Sequence, residues 1–172
     1  DRLAQMIKKL NIDENTVIVN VQGDEPLIDP KHIDQVAKLL EDTKADMATL
    51  CFEIDNVKDV FDLNCVKVVF DKNQKAIYFS RAPIPYERDN FKLGNVQELK
   101  HKHYHHVGIY AYKAKTVLEY AAMSQTSLEI AESLEQLRLM ENGKSIAVGI
   151  CTEPPKTGVD TKEDLDRINA YL

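Results

Sequence analysis

Apolar residues recur along this chain with two periods, and the switches between them mark out its elements. Leu3, Met6, Ile7 and Leu10 fall at the spacing that makes one face of a helix. Asn11 to Asn15 form a polar turn, after which Thr16 to Val21 is a β-branched run of the kind buried in a parallel sheet. Asp29-Pro30 supplies an N-cap followed by proline at the first helical position, with Ile33, Val36, Ala37 and Leu40 as the apolar stripe. Met47 to Ile54 reads as a second strand, so strand, helix and strand follow one another as in a βαβ unit. Cys65 to Phe70 and Ala76 to Ser80 flank Asp71-Lys72-Asn73-Gln74-Lys75 as a hairpin whose turn lacks glycine. Arg81 to Gln97, with Pro83, Pro85 and Gly94, is a long irregular excursion, and His105 to Lys113 returns as a strand. Thr126 with Glu129 fits a capping box opening one helix that carries Ile130, Leu134 and Leu137 and ends at Gly143. Ser145 to Ile150 is a further strand. Thr161 with Asp164 opens a last helix bearing Leu165, Ile168 and Leu172.

Composition narrows the class. At 172 residues the chain suits one domain, 1–172, with a single sizeable core. A net charge of -6 argues against an extended nucleic-acid or anionic-membrane surface, while leaving room for a local phosphate site. With no apolar run near the length of a membrane span and no signal peptide, the expected setting is cytoplasmic. Cys51, Cys65 and Cys151 lie far apart in apolar runs, which points to buried reduced thiols.

Two corners carry candidate chemistry. Gly23-Asp24-Glu25-Pro26 closes the first strand at a place where ligands collect in open α/β sheets, and Asp24 is placed there to hold Mg²⁺. Gly23 permits an unusual backbone angle or a close ligand approach, and Pro26 fixes the exit. Thr157-Gly158-Val159-Asp160-Thr161 repeats that arrangement after the strand Ser145 to Ile150, so that Asp24 and Asp160 could share one hard cation with oxygen ligands. Each aspartate also has a plainer reading, Asp24 as a turn cap and Asp160 as a helix N-cap.

Five segments carry a resemblance: Val17 to Pro26, Tyr78-Phe79-Ser80-Arg81-Ala82, His106-Val107-Gly108-Ile109-Tyr110, Leu134-Glu135-Gln136-Leu137-Arg138 and Thr157 to Thr161. In this order the chain resembles the 3-deoxy-manno-octulosonate cytidylyltransferases, or CMP-Kdo synthetases. The resemblance implies a three-layer α/β/α nucleotidyltransferase (Rossmann-like) fold with a mixed, mostly parallel sheet. It implies transfer of CMP from CTP to 3-deoxy-D-manno-octulosonate (Kdo) for lipopolysaccharide biosynthesis, with release of pyrophosphate, Mg²⁺ as cofactor, and Asp24 and Asp160 as its catalytic ligands. The family's sugar site falls on Gln22, Arg81, His106, Tyr110, Glu135 and Gln136. Arg81 offers a carboxylate a fixed fork of donors, while Gln22, Glu135 and Gln136 offer partners to hydroxyls. His106, Gly108 and Tyr110 alternate, so they face one side of a strand and suit a pocket floor.

Taken singly these residues have ordinary roles: Arg81 in a surface ion pair, Glu135 paired with Arg138, His106 as a satisfied histidine, Tyr110 as a core ring. The run His101 to His106 invites a zinc reading, but Lys102 interrupts it and no Cys or carboxylate stands at ligand spacing, so a pH-sensitive polar surface is expected instead. The family's homodimer would use the hairpin and excursion, 64–112, with Pro83, Ile84, Pro85, Tyr86 and Phe91 packing against a partner. The chain starts at Asp1 already in helical register, and the family's first strand and its CTP-gripping loop have no counterpart in it. The rival expectation is therefore an inactive fragment or dimerisation module of that enzyme. A cytidylyltransferase for another acidic sugar, such as a sialic acid, is the third.

Overall fold

The computed structural model describes residues 2–23, 27–92, 94–151 and 153. In chain order these form α1 (Arg2–Lys9), β1 (Val17–Val21), α2 (Pro30–Thr43), β2 (Met47–Glu53), α3 (Val57–Phe61), β3 (Lys67–Phe70), β4 (Ala76–Ser80), α4 (Arg88–Phe91), β5 (Tyr104–Lys113), α5 (Ala114–Ala122), α6 (Ser127–Glu132), α7 (Gln136–Glu141) and β6 (Ile146–Ile150). One six-stranded sheet runs β4-β3-β5-β2-β6, and β1 pairs with β5. The sheet is mixed, as expected, and β1, β2, β3 and β6 share one direction. Its pairings are nonetheless mostly antiparallel, because β5 lies between β1 and β2 and runs against both; β2 with β6 is the parallel pair among the described residues. The expected βαβ unit is thus split by an inserted strand, and β1 sits in an antiparallel pair rather than in a parallel one.

Three layers result. On one face α2 covers Ala48, Leu50, Val107, Ile109, Ala111 and Ala147 with Val36 and Leu40. Asp29 caps this helix by accepting the Lys31 N–H at 2.9 Å, with Pro30 at its first turn. On the other face Met47, Cys51, Val68, Phe79, Ile146 and Val148 meet Leu134, Leu137 and Leu139 of the α6–α7 region. Alongside, α1 packs on α5 through Ala4, Ile7, Ala114 and Val117. Within α1 the buried positions are Ala4 and Ile7, whereas Met6 and Leu10 are 49% and 59% exposed, so the expected stripe is rotated by about one position.

The β3–β4 hairpin forms as read. Its turn replaces glycine with Gln74 at φ 62°, while Asp71 accepts the Asn73 and Lys75 N–H groups at 2.8 and 2.9 Å. The helix expected over 126–143 is instead two helices. Ser133 takes φ 52° and closes α6, and Ile130 is 63% exposed rather than part of a stripe. Glu129 does accept the Thr126 N–H, at 3.3 Å, as a capping box requires. Two helices lacked a legible boundary: α5 follows β5 with no side-chain cap and no intervening glycine or proline, and α3 is a single turn or so, capped by Asn56. The last helix expected, from Thr161, lies outside the described residues.

Candidate functional site

Along β5 the side chains alternate, with Val107, Ile109 and Ala111 turned toward α2 and His106, Gly108, Tyr110 and Tyr112 facing a cavity on the opposite face. Asn20 of β1 and Gln22 just beyond its end extend the same floor, Asn20 standing in register with Tyr110. Gln22 lies across Gly108: a Cβ there would stand 3.1 Å from the Gln22 Nε2. The cavity, of about 810 Å³, is walled by Arg81 from the end of β4, by Tyr120 of α5 and by Ser133 to Gln136 at the α6–α7 break. All six expected sugar-site residues, Gln22, Arg81, His106, Tyr110, Glu135 and Gln136, therefore line one space.

Arg81 is fixed by backbone rather than by an opposing side-chain charge. Its guanidinium donates to the carbonyls of Glu132 (2.8 Å), Leu63 (2.8 Å) and Ser133 (3.5 Å). The Glu132 carboxylate in turn accepts the Arg81 N–H at 2.9 Å and the Ser80 hydroxyl at 2.6 Å. Lys67, fully buried, donates its ammonium to the Arg81 and Asp62 carbonyls, both at 2.7 Å. Burial holds that ammonium below the usual lysine range. The surface ion pair considered for Arg81 is not formed with any described carboxylate, which leaves its charge for a ligand.

His106 is 7% exposed, and burial pushes its imidazole down to about 3, so the ring is neutral at physiological pH. Its Nε2 stands 2.9 Å from the Thr49 hydroxyl, and its ring meets Phe79 edge-on and leans on Tyr110. Burial also raises the phenols of Tyr110 and Tyr112, and pushes Tyr120 up to about 12, so these groups act as neutral hydrogen-bonding partners. Gln136 is 5% exposed and its Nε2 is a buried donor with no partner among the described residues. Behind this wall Arg138 pairs with Glu129 (Nε to Oε2, 2.7 Å) and stacks over Tyr120 at 4.3 Å, while the Tyr120 hydroxyl reaches the Glu135 carbonyl at 3.4 Å. Arg138 thus pairs with Glu129, not with Glu135 as its spacing allowed.

Asp24 and Asp160, the expected Mg²⁺ ligands, lie outside the described residues. Carboxylate oxygens are the donors a hard cation takes. Among the described residues no group of three or more His, Cys, Asp or Glu could hold a metal ion. Gly23 is not one of the described glycines with positive φ, which are Gly94 and Gly143, so of the two uses weighed for it the left-handed backbone angle is not taken. The histidine run is a polar surface only in part: His101 and Lys102 are exposed, whereas His103 and His106 are buried, and His103 is held between the His101 and Pro85 carbonyls at 3.1 and 2.9 Å beside Glu87. Phe91, expected at a dimer surface, is buried with Ile54, Val60 and Cys65. A larger, more open groove of about 1200 Å³ runs between 53–59 and 96–102, but its charges are of both signs and Glu53 pairs with Lys102 across it. Chemistry converges in the smaller cavity.

Thr49, Asn20, Glu132 and Tyr120 escaped the sequence reading. Asn20 was within reach of it, since a polar residue two positions before Gln22 in an apolar strand shares its face. Thr49 and Glu132 act through contacts 57 and 51 residues away, for which local pattern carries no signal.

A family model described as cytidylyltransferase matches residues 1–146. The 3-deoxy-manno-octulosonate cytidylyltransferase 2 of Actinobacillus pleuropneumoniae serotype 5b is 47% identical over 173 residues, spanning 100% of this chain and 69% of the relative. The 3-deoxy-manno-octulosonate cytidylyltransferase of Aliivibrio salmonicida is 49% identical over 172 residues, with the same coverage of 100% and 69%. Among solved structures, a CMP:2-keto-3-deoxy-manno-octonic acid synthetase complexed with CTP superposes with a TM-score of 0.86 at 37% identity, covering 99% of this chain and 66% of that one. The chain thus spans about two thirds of the length of these relatives.

Proposed function

The chain belongs to the cytidylyltransferase family, and on that premise we propose that its protein transfers CMP from CTP to Kdo, giving CMP-Kdo and pyrophosphate. The observation that carries this reading is the convergence of Gln22, Arg81, His106, Tyr110, Glu135 and Gln136, drawn from four separate segments, on one cavity.

The residues suit a hydroxyl-rich sugar acid. Arg81, held by three carbonyls, keeps donors free for the sugar carboxylate in a fixed direction. The unpartnered Gln136 Nε2 donates to a sugar oxygen, which removes the cost of leaving a buried donor unsatisfied. Gln22, lying over Gly108, and Tyr110 meet the hydroxyls from the floor. With the sugar so held, the anomeric oxygen attacks the α-phosphorus of CTP in line, and the bond to pyrophosphate breaks with its electron pair leaving on the departing oxygen. Mg²⁺ would be held by Asp24 and Asp160, and supplies neutralisation of phosphate charge and a lowered pKa for the attacking hydroxyl.

The reading extends to a cytoplasmic homodimer serving lipopolysaccharide assembly. No helix among the described residues is long and apolar enough to cross a membrane. Ile77 and Tyr86, 60% and 59% exposed in the 64–112 region, offer apolar surface for a second copy.

Pyrophosphate release by the full-length protein, with CTP, Mg²⁺ and either Kdo or a sialic acid, tests the assignment. Release is expected with Kdo; turnover of the sialic acid in preference, or of neither sugar, overturns it. Asp24→Asn and Asp160→Asn are each expected to remove most of the Mg²⁺-dependent rate, and near-normal turnover in both refutes the shared-metal assignment.

A further inference from the structure

At the middle of the floor, the pairing of β2 with β5 slips: Thr49 stands opposite Tyr110, but Leu50 stands opposite Val107. The slip leaves two residues of β5, Gly108 and Ile109, without partners on β2, an irregularity of the ladder beside the cavity. Thr49, with no exposed surface, fills the gap with its hydroxyl. That oxygen lies 2.7 Å from the Ile109 carbonyl, 3.1 Å from the Val107 carbonyl and 2.9 Å from the His106 Nε2.

Three neighbours surround a group that owns one proton. Both carbonyls can only accept, and the closer one, Ile109, takes the hydroxyl proton. Toward His106 the hydroxyl therefore offers a lone pair, so the proton between them belongs to Nε2. A neutral imidazole carries one N–H, and the opposite nitrogen, Nδ1, must then be the unprotonated one. Nδ1 has no hydrogen-bond partner among the described residues, and the ring lines the cavity between Phe79 and Tyr110.

We propose that Thr49 is a positioning residue that fixes His106 in its Nε2–H tautomer, so that Nδ1 faces the cavity as an acceptor for a hydroxyl of the sugar substrate. The identity of that hydroxyl's owner rests on the proposed function; the tautomer does not. A donor at this position would have suited a carbonyl or carboxylate oxygen. An acceptor, beside a carboxylate-binding arginine elsewhere in the cavity, sorts the ligand's polar groups by kind: its carboxylate goes to Arg81 and one of its hydroxyls to His106.

The test has two arms, both on the full-length protein. Long-range ¹H–¹⁵N spectra of ligand-free protein are expected to show a pyrrole-like Nε2 and a pyridine-like Nδ1 for His106. Thr49→Ser, which keeps the hydroxyl, is expected to preserve that pattern, and Thr49→Val to lose it. In the kinetic arm, His106→Asn places an amide oxygen near Nδ1 and His106→Gln places its amide near Nε2. The Asn variant is expected to raise the KM for Kdo by less than the Gln variant, which raises it about tenfold, the size of one lost hydrogen bond. The KM for CTP stays put in both. A Nδ1–H tautomer in the wild type, an unchanged tautomer in a folded Thr49→Val protein, or equal KM values for the Asn and Gln variants would overturn the proposal. A correct tautomer in a wild-type protein that does not turn over Kdo counts against the proposed function instead.

Discussion

At Gly108 the space of one methyl group decides where Gln22 rests. A Cβ there would press on the Gln22 amide at 3.1 Å and on its Cδ at 3.4 Å, both parts of a movable side chain. Gly108→Ala is therefore expected to leave the melting temperature within a few degrees of the wild type and to raise the KM for Kdo several-fold. Thermal melts beside steady-state kinetics separate the two effects; a large loss of stability would show that the strand, not Gln22, bears the strain. Glu129 and Arg138 form a second residue-scale case, with side chains 4% and 13% exposed. The hydrogen bond from Arg138 holds the Glu129 carboxyl below the usual carboxylate range. A depressed pKa gives stability that is present above the unfolded-state value and lost as pH falls through the folded-state value. Glu129→Gln is thus expected to cost about 3 kcal/mol near pH 7, the scale for breaking a buried pair. The gap to the wild type should close as pH drops below 4.5. Denaturant titrations at several pH values check the sign; a pH-independent difference would remove the ion pair as the cause.

The break between α6 and α7 is the element on which the cavity turns. The left-handed Ser133 stops the first helix, so that Glu132 can reach Ser80 and Arg81 while Glu135 and Gln136 swing to the cavity rim. A continuous helix would carry 132 to 136 past the site on a helical pitch and could not do both. Glu132→Ala leaves the Arg81 N–H and the Ser80 hydroxyl without their acceptor, and is expected to destabilise the fold by about 2 kcal/mol. It should also raise the KM for Kdo with little change in the KM for CTP; a KM for Kdo that stays at the wild-type value would separate Glu132 from Arg81. This break was hidden in the sequence, because Thr126, Glu129, Leu134 and Leu137 satisfy a single helical pattern and no glycine or proline interrupts it. The strands were easier. Runs such as Val17 to Val21 and Met47 to Phe52 are apolar but for Asn20 and Thr49, and the hairpin turn advertises itself through Asp71 and Asn73. Strand order was not legible, since nothing local says that β5 inserts between β1 and β2. The six sugar-site residues were found through motif likeness, and their neighbours Thr49 and Glu132, which act on them through long-range contacts, were not.

For the whole molecule, the sheet ties the cavity to the surface proposed for dimerisation. Arg81 directly follows β4, and Ile77 on that strand and Tyr86 a few residues beyond it are exposed. Sedimentation of the full-length protein is expected to give a dimer, and Tyr86→Asp to shift it toward monomer; a wild-type monomer at micromolar concentration would remove the assembly from the reading.

Three thiols, buried among apolar neighbours, have a use of their own. Burial pushes Cys51 and Cys65 up to about 12 and Cys151 up to about 11, so at neutral pH almost none of each is thiolate and alkylating reagents find nothing to attack in the closed fold. Each thiol becomes reactive only when its surroundings open, which makes them three clocks set at different depths of one machine. Cys51 runs with the centre of the sheet, Cys151 with the end of β6, and Cys65 with the wall of the cavity. A ligand that occupies the cavity should slow the Cys65 clock by more than the other two, and mass spectrometry can read all three from a single sample.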